Sequence, residues 1–194
     1  MDDMDILKEL IQNKALVSVS NNIVKLEEFI SKQQGYAIEI KDTPDQVIAI
    51  NLDSNFPAPR KIFNNDKGAC KRADFVLFAN RGNKNWIVYI EMKGGRSSRK
   101  QVRQQLQGAQ CFVVYCRAIG KIFWKQKSFL QNWEERFVRI QNANVNKQPG
   151  LRSRYKKPSR HSGSKLHDKP ENMLTIVMGP GKGRLEFREL VSKP

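Results

Sequence analysis

Two histidines and three cysteines are all the imidazole and thiolate ligands that the 194-residue chain offers to a zinc ion. His161 and His167 with Cys70, Cys111 and Cys116 match no zinc-site spacing, and a sparse, odd set of cysteines reads as reduced thiols in a cytosolic setting rather than a disulfide framework. No apolar run approaches the roughly 18 residues of a membrane span. The first residues, Met1-Asp2-Asp3-Met4-Asp5, are acidic where a secretory signal is basic. A soluble, cytoplasmic protein with no membrane partner is the expectation. Gly179-Pro180-Gly181-Lys182-Gly183 lacks the Walker pattern and reads as a turn, not a nucleotide loop. No internal repeat is present. Apolar residues, at 39%, are too few for a large core throughout and too many for a wholly disordered chain.

Negative charge is also scarce: 19 Asp and Glu stand against 35 Lys and Arg, a net +16. The imbalance is not spread evenly. Residues 1–92 carry 12 basic and 13 acidic side chains, net −1, and residues 93–194 carry 23 and 6, net +17. One half builds a scaffold, and the other suits a polyanion, above all nucleic acid.

The patterning predicts one α/β domain over 1–194. Ile6, Leu7, Leu10 and Ile11 suggest a helix over 5–16. Ser20, Asn21 and Asn22 offer N-caps for a second helix marked by Ile23, Leu26, Phe29 and Ile30 and stopped at Gly35. Glu27 and Glu28 fall on that helix, about 100° apart. Tyr36–Lys41 and Gln46–Leu52 read as strands that pair as a hairpin across Asp42-Thr43-Pro44-Asp45. Ala73–Ala79 and Trp86–Lys93 read as central strands, apolar on both faces, joined through Asn80–Asn85. A helix over about 98–116, capped by Ser97 or Ser98, follows Gly94-Gly95, and Arg136–Ile140 reads as a further strand. Residues 141–170 form a basic loop with eight Lys and Arg, and 172–191 a C-terminal β-hairpin of the runs Met173–Met178 and Arg184–Leu190.

Chemistry gathers at the end of the two central strands. Glu91 and Lys93, two apart on a strand, project from one face, and Asp74 heads the neighbouring strand. Two carboxylates and an ammonium at the end of an apolar sheet must neutralise one another or hold a cation. A hard divalent ion such as Mg²⁺ needs one or two carboxylates, completed by water and substrate phosphate.

Asp74 in Ala73-Asp74-Phe75, Glu91 and Lys93 in Ile90-Glu91-Met92-Lys93, and the glutamines Gln101, Gln104 and Gln105 of the following basic helix resemble the PD-(D/E)XK nuclease superfamily. The resemblance spans residues 21–141. It implies a restriction-endonuclease-like α-β-β-β-α-β core, a mixed central sheet flanked by helices. It also implies Asp74 and Glu91 as ligands of Mg²⁺ or Mn²⁺ with the Met92 carbonyl as a third, Lys93 as the catalytic lysine, Gln105 as the helical glutamine, and Glu27 or Glu28 as an acid on the first core helix. Ala73 stands where the family commonly has proline.

The function so implied is Mg²⁺-dependent endonucleolytic hydrolysis of phosphodiesters, with DNA as the partner and a homodimer where both strands are cut. The alternative is a noncatalytic nucleic-acid-binding protein on a degenerate nuclease fold. Arg96, Arg99, Lys100 and Arg103 near the helix start, and Arg152, Arg154, Lys156 and Lys157 around Tyr155 in the loop, are the candidate phosphate contacts.

Overall fold

The computed structural model describes residues 1–31, 34–94, 97–142, 159–161, 165–178 and 183–192. Helix α1 (Asp3–Leu10) starts from a capping box in which Asp2 and Asp5 each accept the other's backbone N–H. Strands β1 (Val19–Ser20), β2 (Ile23–Ser31) and β3 (Gln34–Lys41) follow, then β4 (Gln46–Asn51) and the short helix α2 (Leu52–Asn55). Strands β5 (Phe75–Arg81) and β6 (Lys84–Lys93) meet at the two-residue turn Gly82-Asn83, with Gly82 at a φ of 63°. Helix α3 (Arg99–Phe123) leads to β7 (Glu134–Asn142). The remaining elements are β8 (Ser159–His161), β9 (Leu174–Met178), β10 (Gly183–Glu186) and α4 (Phe187–Val191).

The strands form two mixed sheets. One has the order β4-β5-β6-β7-β9-β8, antiparallel from β4 to β6 and parallel from β6 through β7 to β9, with β8 antiparallel at its edge. The other has the order β1-β2-β3-β10, with β10 lying parallel to β3. Side chains of the six-stranded sheet alternate between two cores. Val76, Phe78, Ile87, Tyr89 and Phe137 pack beneath α1 and α3 with Leu7, Leu106 and Val113. Leu77, Val88, Ile90, Val138 and Ile176 pack against the second sheet through Leu26, Ile38 and Ile40, and against α4 through Phe187. The result is three layers, helices, sheet and sheet, with the central strands covered on both faces as their composition predicts.

Three expectations are corrected. Where the helix of Ile23, Leu26, Phe29 and Ile30 is expected, the chain forms the strand β2 (Ile23–Ser31), and Gly35 lies at the start of β3. Val24 and Leu26 are buried while Lys25 and Glu27 are exposed, a period of two, and the register Val24↔Ile40, Leu26↔Ile38 pairs it with β3. Asn21 and Asn22, read as N-caps, are the two-residue turn between β1 and β2. Both hold positive φ (50° and 56°), which asparagine tolerates better than most side chains. Second, β3 and β4 are not a hairpin, since β3 pairs with β2 and β10 while β4 pairs with β5 in the other sheet. Third, β9 and β10 lie in different sheets rather than as a C-terminal hairpin, and 187–191 is helical behind a capping box of Glu186 and Glu189. Helix α3 keeps its expected Ser98 cap and runs to Phe123.

Contacts between distant parts of the chain close the molecule. Asp3 Oδ2 accepts the backbone N–H of Leu130 (3.0 Å) and the indole N–H of Trp133 (2.8 Å), and Glu9 Oε2 accepts that of Trp124 (2.9 Å). Among the described residues, no helix is long and apolar enough to cross a membrane.

Candidate active site

The antiparallel register of β5 and β6 pairs Phe75 with Ile90, and one further step sets Asp74 opposite Glu91. There the ladder ends in a side chain: Asp74 Oδ2 accepts the Met92 backbone N–H at 2.6 Å. Glu91, Lys93 and Arg139 continue the alternation of Tyr89 and Phe137, so these three project to the helix side of the sheet, and Asp74 reaches the Met92 N–H from the residue before β5. Arg139 is the β7 neighbour of Glu91. Glu91 is fully buried at 0% exposure, and Lys93 Nζ ion-pairs with its Oε1. Glu91 Oε2 has no hydrogen-bond partner among the described residues. A buried carboxylate oxygen left open in this way is expensive unless a proton or another partner meets it.

The electrostatics agree with that crowding. Burial, reinforced by the charge of Glu28, pushes Asp74 up to about 7 against the pull of the Met92 N–H and Lys93. Burial and then the Asp74 charge hold Glu91 well above the carboxylate range, with Lys93 opposing. Burial lowers Lys93, but the charge and hydrogen bond of Glu91, with Asp74 and Glu28, outweigh it, so the ammonium is held above its ordinary value. Carboxylates outnumber ammonium groups here, and a cluster of that kind retains protons until a cation replaces them.

Of the two candidates for a helical acid, Glu28 comes near and Glu27 does not, and neither is on a helix. Glu27 lies on the exposed face of β2, paired with Lys25 at 2.5 Å. Glu28 faces inward and accepts the Tyr36 hydroxyl at 2.7 Å. Burial raises it, and it acts on Asp74, Glu91 and Lys93. It approaches from the second sheet rather than from a helix. Sequence reasoning missed Asp53 on α2, whose charge also raises Asp74 and Glu28, and which Arg72 holds at 3.2 Å. It also missed Tyr36 and Arg139. Only the placement of Arg139 in a strand otherwise apolar from Phe137 to Ile140 signalled it.

Helix α3 supplies the next side chains. Gln105 Oε1 is buried without a hydrogen-bond partner among the described residues, which sets this glutamine apart from its neighbours. Gln104 instead clamps the segment before β5, accepting from Lys71 Nζ (2.7 Å) and donating to the Lys67 carbonyl (3.0 Å), while Gln101 is exposed. The same segment presses on Gly108, where a Cβ would lie 1.6 Å from the Lys71 carbonyl oxygen. Arg99 is exposed at the helix start and donates to the Glu171 carbonyl at 2.8 Å. Lys100 is exposed and Arg103 partly so. Arg96, Arg152, Arg154, Lys156 and Lys157, with Tyr155, lie outside the described residues.

Among the described residues, no three His, Cys, Asp or Glu side chains are grouped closely enough to hold a metal ion unaided. Two carboxylates meet the more modest requirement of Mg²⁺, whose shell is filled mostly by water and phosphate. The open oxygen of Glu91 and the proton-retaining Asp74 fit such an ion. No family model, curated protein or solved structure is found to match the chain.

Proposed function

We propose that this protein is a Mg²⁺- or Mn²⁺-dependent endonuclease that hydrolyses phosphodiester bonds in DNA. The observation that carries the reading is the end of the β5–β6 ladder, where Asp74 stands across from a wholly buried Glu91 with an open oxygen and Lys93 follows two residues on. Among its described residues, the span 21–141 lacks the first core helix that the resemblance implied, and what supports the reading is the succession β4, β5, β6, α3, β7, with β4 to β7 adjacent in that order in the sheet and the short α2 between β4 and β5. The restriction-endonuclease-like fold is part of this proposal.

Asp74 and Glu91, with the Met92 carbonyl, would hold the divalent ion. Bound there, it would supply Lewis-acid stabilisation of charge on the scissile phosphate and acidify a neighbouring water. The protein's own groups do the rest. Lys93, kept as an ammonium by Glu91, orients the attacking water and offsets charge developing on the phosphate oxygens. Gln105 offers its unpartnered Oε1 as an acceptor for the nucleophile's proton. Glu28, fixed by Tyr36, keeps the field at Asp74 and Lys93 negative and so favours cation entry. Water oxygen bonds to phosphorus, the bond from phosphorus to the leaving sugar oxygen breaks, and that oxygen takes a proton as the water loses one.

Incubation with plasmid, branched DNA and RNA in Mg²⁺ or EDTA tests the reading. Wild type is expected to cut DNA only with the divalent ion, and Asp74→Asn, Glu91→Gln and Lys93→Ala each to lose at least about 100-fold in rate while still binding DNA. Undiminished cutting by a folded Glu91→Gln variant would sink the assignment. Binding without Mg²⁺-dependent cutting of any substrate would leave the noncatalytic reading.

A further inference from the structure

Arg139 is an anomaly in its surroundings. It is 9% exposed, it sits between the buried Val138 and Ile140 of β7, and among the described residues it forms no ion pair with a carboxylate. Its guanidinium makes one long hydrogen bond, from Nη2 to the Ser97 carbonyl at 3.3 Å, and its Nε has no partner among the described residues. A guanidinium carries five N–H donors in a planar fork, and the Nε donor of this one is buried without a partner among the described residues. Glu91 stands beside it on β6, yet that carboxylate turns to Lys93.

What lies around Arg139 shows what would complete it. Its bond to Ser97 brings it to the start of α3, where Ser98 caps the helix by accepting the Gln101 N–H at 3.1 Å. The 25-residue helix presents its positive end there, with first-turn N–H groups left over. Ser97 Oγ is buried and likewise unpartnered among the described residues. Arg99 lies close enough for its charge to act on Arg139, an arrangement of two like charges that is unfavourable until an anion comes between them. Donors outnumber acceptors here: the Ser97 carbonyl takes one N–H of Arg139 and the Glu171 carbonyl one of Arg99.

We propose that Arg139, Arg99, Ser97 Oγ and the first turn of α3 form a phosphate-binding subsite next to Glu91. It deepens the nuclease reading, on which its biological role rests, by naming where the substrate backbone is gripped. A tetrahedral phosphate oxygen pair accepts the Arg139 fork, and the hydroxyl and helix N–H groups take the remaining oxygens. The source is either an internal phosphodiester or a terminal 5′-phosphate.

Binding of potassium phosphate to the full chain, titrated calorimetrically in EDTA against potassium chloride of equal ionic strength, tests the subsite without calling on cleavage. Wild type is expected to bind saturably. Arg139→Lys, which keeps the charge and loses the fork, and Arg139→Met should weaken phosphate about tenfold or more, and the exposed Arg99→Gln by less. Single strands with a 5′-phosphate or a 5′-hydroxyl separate the sources. A terminal site prefers the phosphorylated strand in wild type alone, whereas an internal site binds both equally and loses both in Arg139→Lys. Unchanged phosphate affinity in Arg139→Lys with a wild-type circular dichroism spectrum overturns the subsite, even if Mg²⁺-dependent cutting is intact. Loss of phosphate binding in that variant upholds it, even if no nucleic acid is cut.

Discussion

Glu91 and Asp74 are carboxyl groups placed where water cannot solvate their charges, so the folded state prefers them protonated. For Asp74 the folded value of about 7 lies above its ordinary 3.8. Between those limits the native state binds more protons than the unfolded chain, so stability falls as pH rises and levels off above about 7. For Asp74 the loss is on the order of 4 kcal/mol, and Glu91 adds to it in the same direction. Urea denaturation of the metal-free protein from pH 4.5 to 8 is expected to show this decline. Asp74→Asn should flatten it, because an amide oxygen still accepts the Met92 N–H but carries no titrating group. A variant as steeply pH-dependent as wild type would show that the carboxyl is not held as described. Asp74, Glu91 and Lys93 were legible in the sequence because polar groups on a strand apolar on both faces need a reason to be there. Arg139 was not, because an arginine on a strand is normally a surface residue until burial is known.

At the scale of elements, period decides what was visible. β5, β6 and α3 announce themselves by uninterrupted apolar runs and by a long i, i+4 stripe, and the structure places the strands within two residues of the predicted bounds while α3 starts as predicted and runs seven residues past 116. β2 carries two rhythms at once. Ile23, Leu26, Phe29 and Ile30 fit a helix, while Val24 and Leu26 against Lys25 and Glu27 fit a strand, and pairing with the alternating Ala37–Lys41 settles the matter. Pairing between distant strands, such as β10 with β3, leaves no local trace, which is why the C-terminal hairpin was mistaken. Close approaches of backbone are equally silent. Gly108 lets α3 sit against Lys71, so Gly108→Ala must either push the segment before β5 off the helix or strain both. It is expected to destabilise by about 1–3 kcal/mol despite alanine's better helix propensity, as measured by urea unfolding. A stabilised variant would mean that the segment is not seated there.

Across the whole molecule, the charge count places a nearly neutral segment before Lys93 and a strongly basic one after it. The proposed site draws on both: Asp74 and Glu91 belong to the first, and Lys93, α3 and Arg139 to the second. If the basic residues of 141–170 meet the nucleic-acid backbone, replacing Arg152, Arg154, Lys156 and Lys157 by glutamine should lower the slope of log affinity against log salt by about three to four. Folding should be spared, and so should the chemistry at Glu91. An unchanged slope would remove these four residues from the interface and leave α3 as the contact.

The bonds from Asp3 to Leu130 and Trp133 span 127 and 130 residues, and β10 completes the sheet begun by β1 to β3. On the ribosome, therefore, α1 emerges long before its partners, and β3 exposes an unpaired edge until Gly183–Glu186 is made. Such an order gives slow, late closure and a window in which a sticky edge is open to other chains. A ribosome-stalled chain ending before β9 would hold the β5–β6 ladder that carries Asp74, Glu91 and Lys93 but lack β9, which covers the outer edge of β7, and β10, which closes the edge of β3.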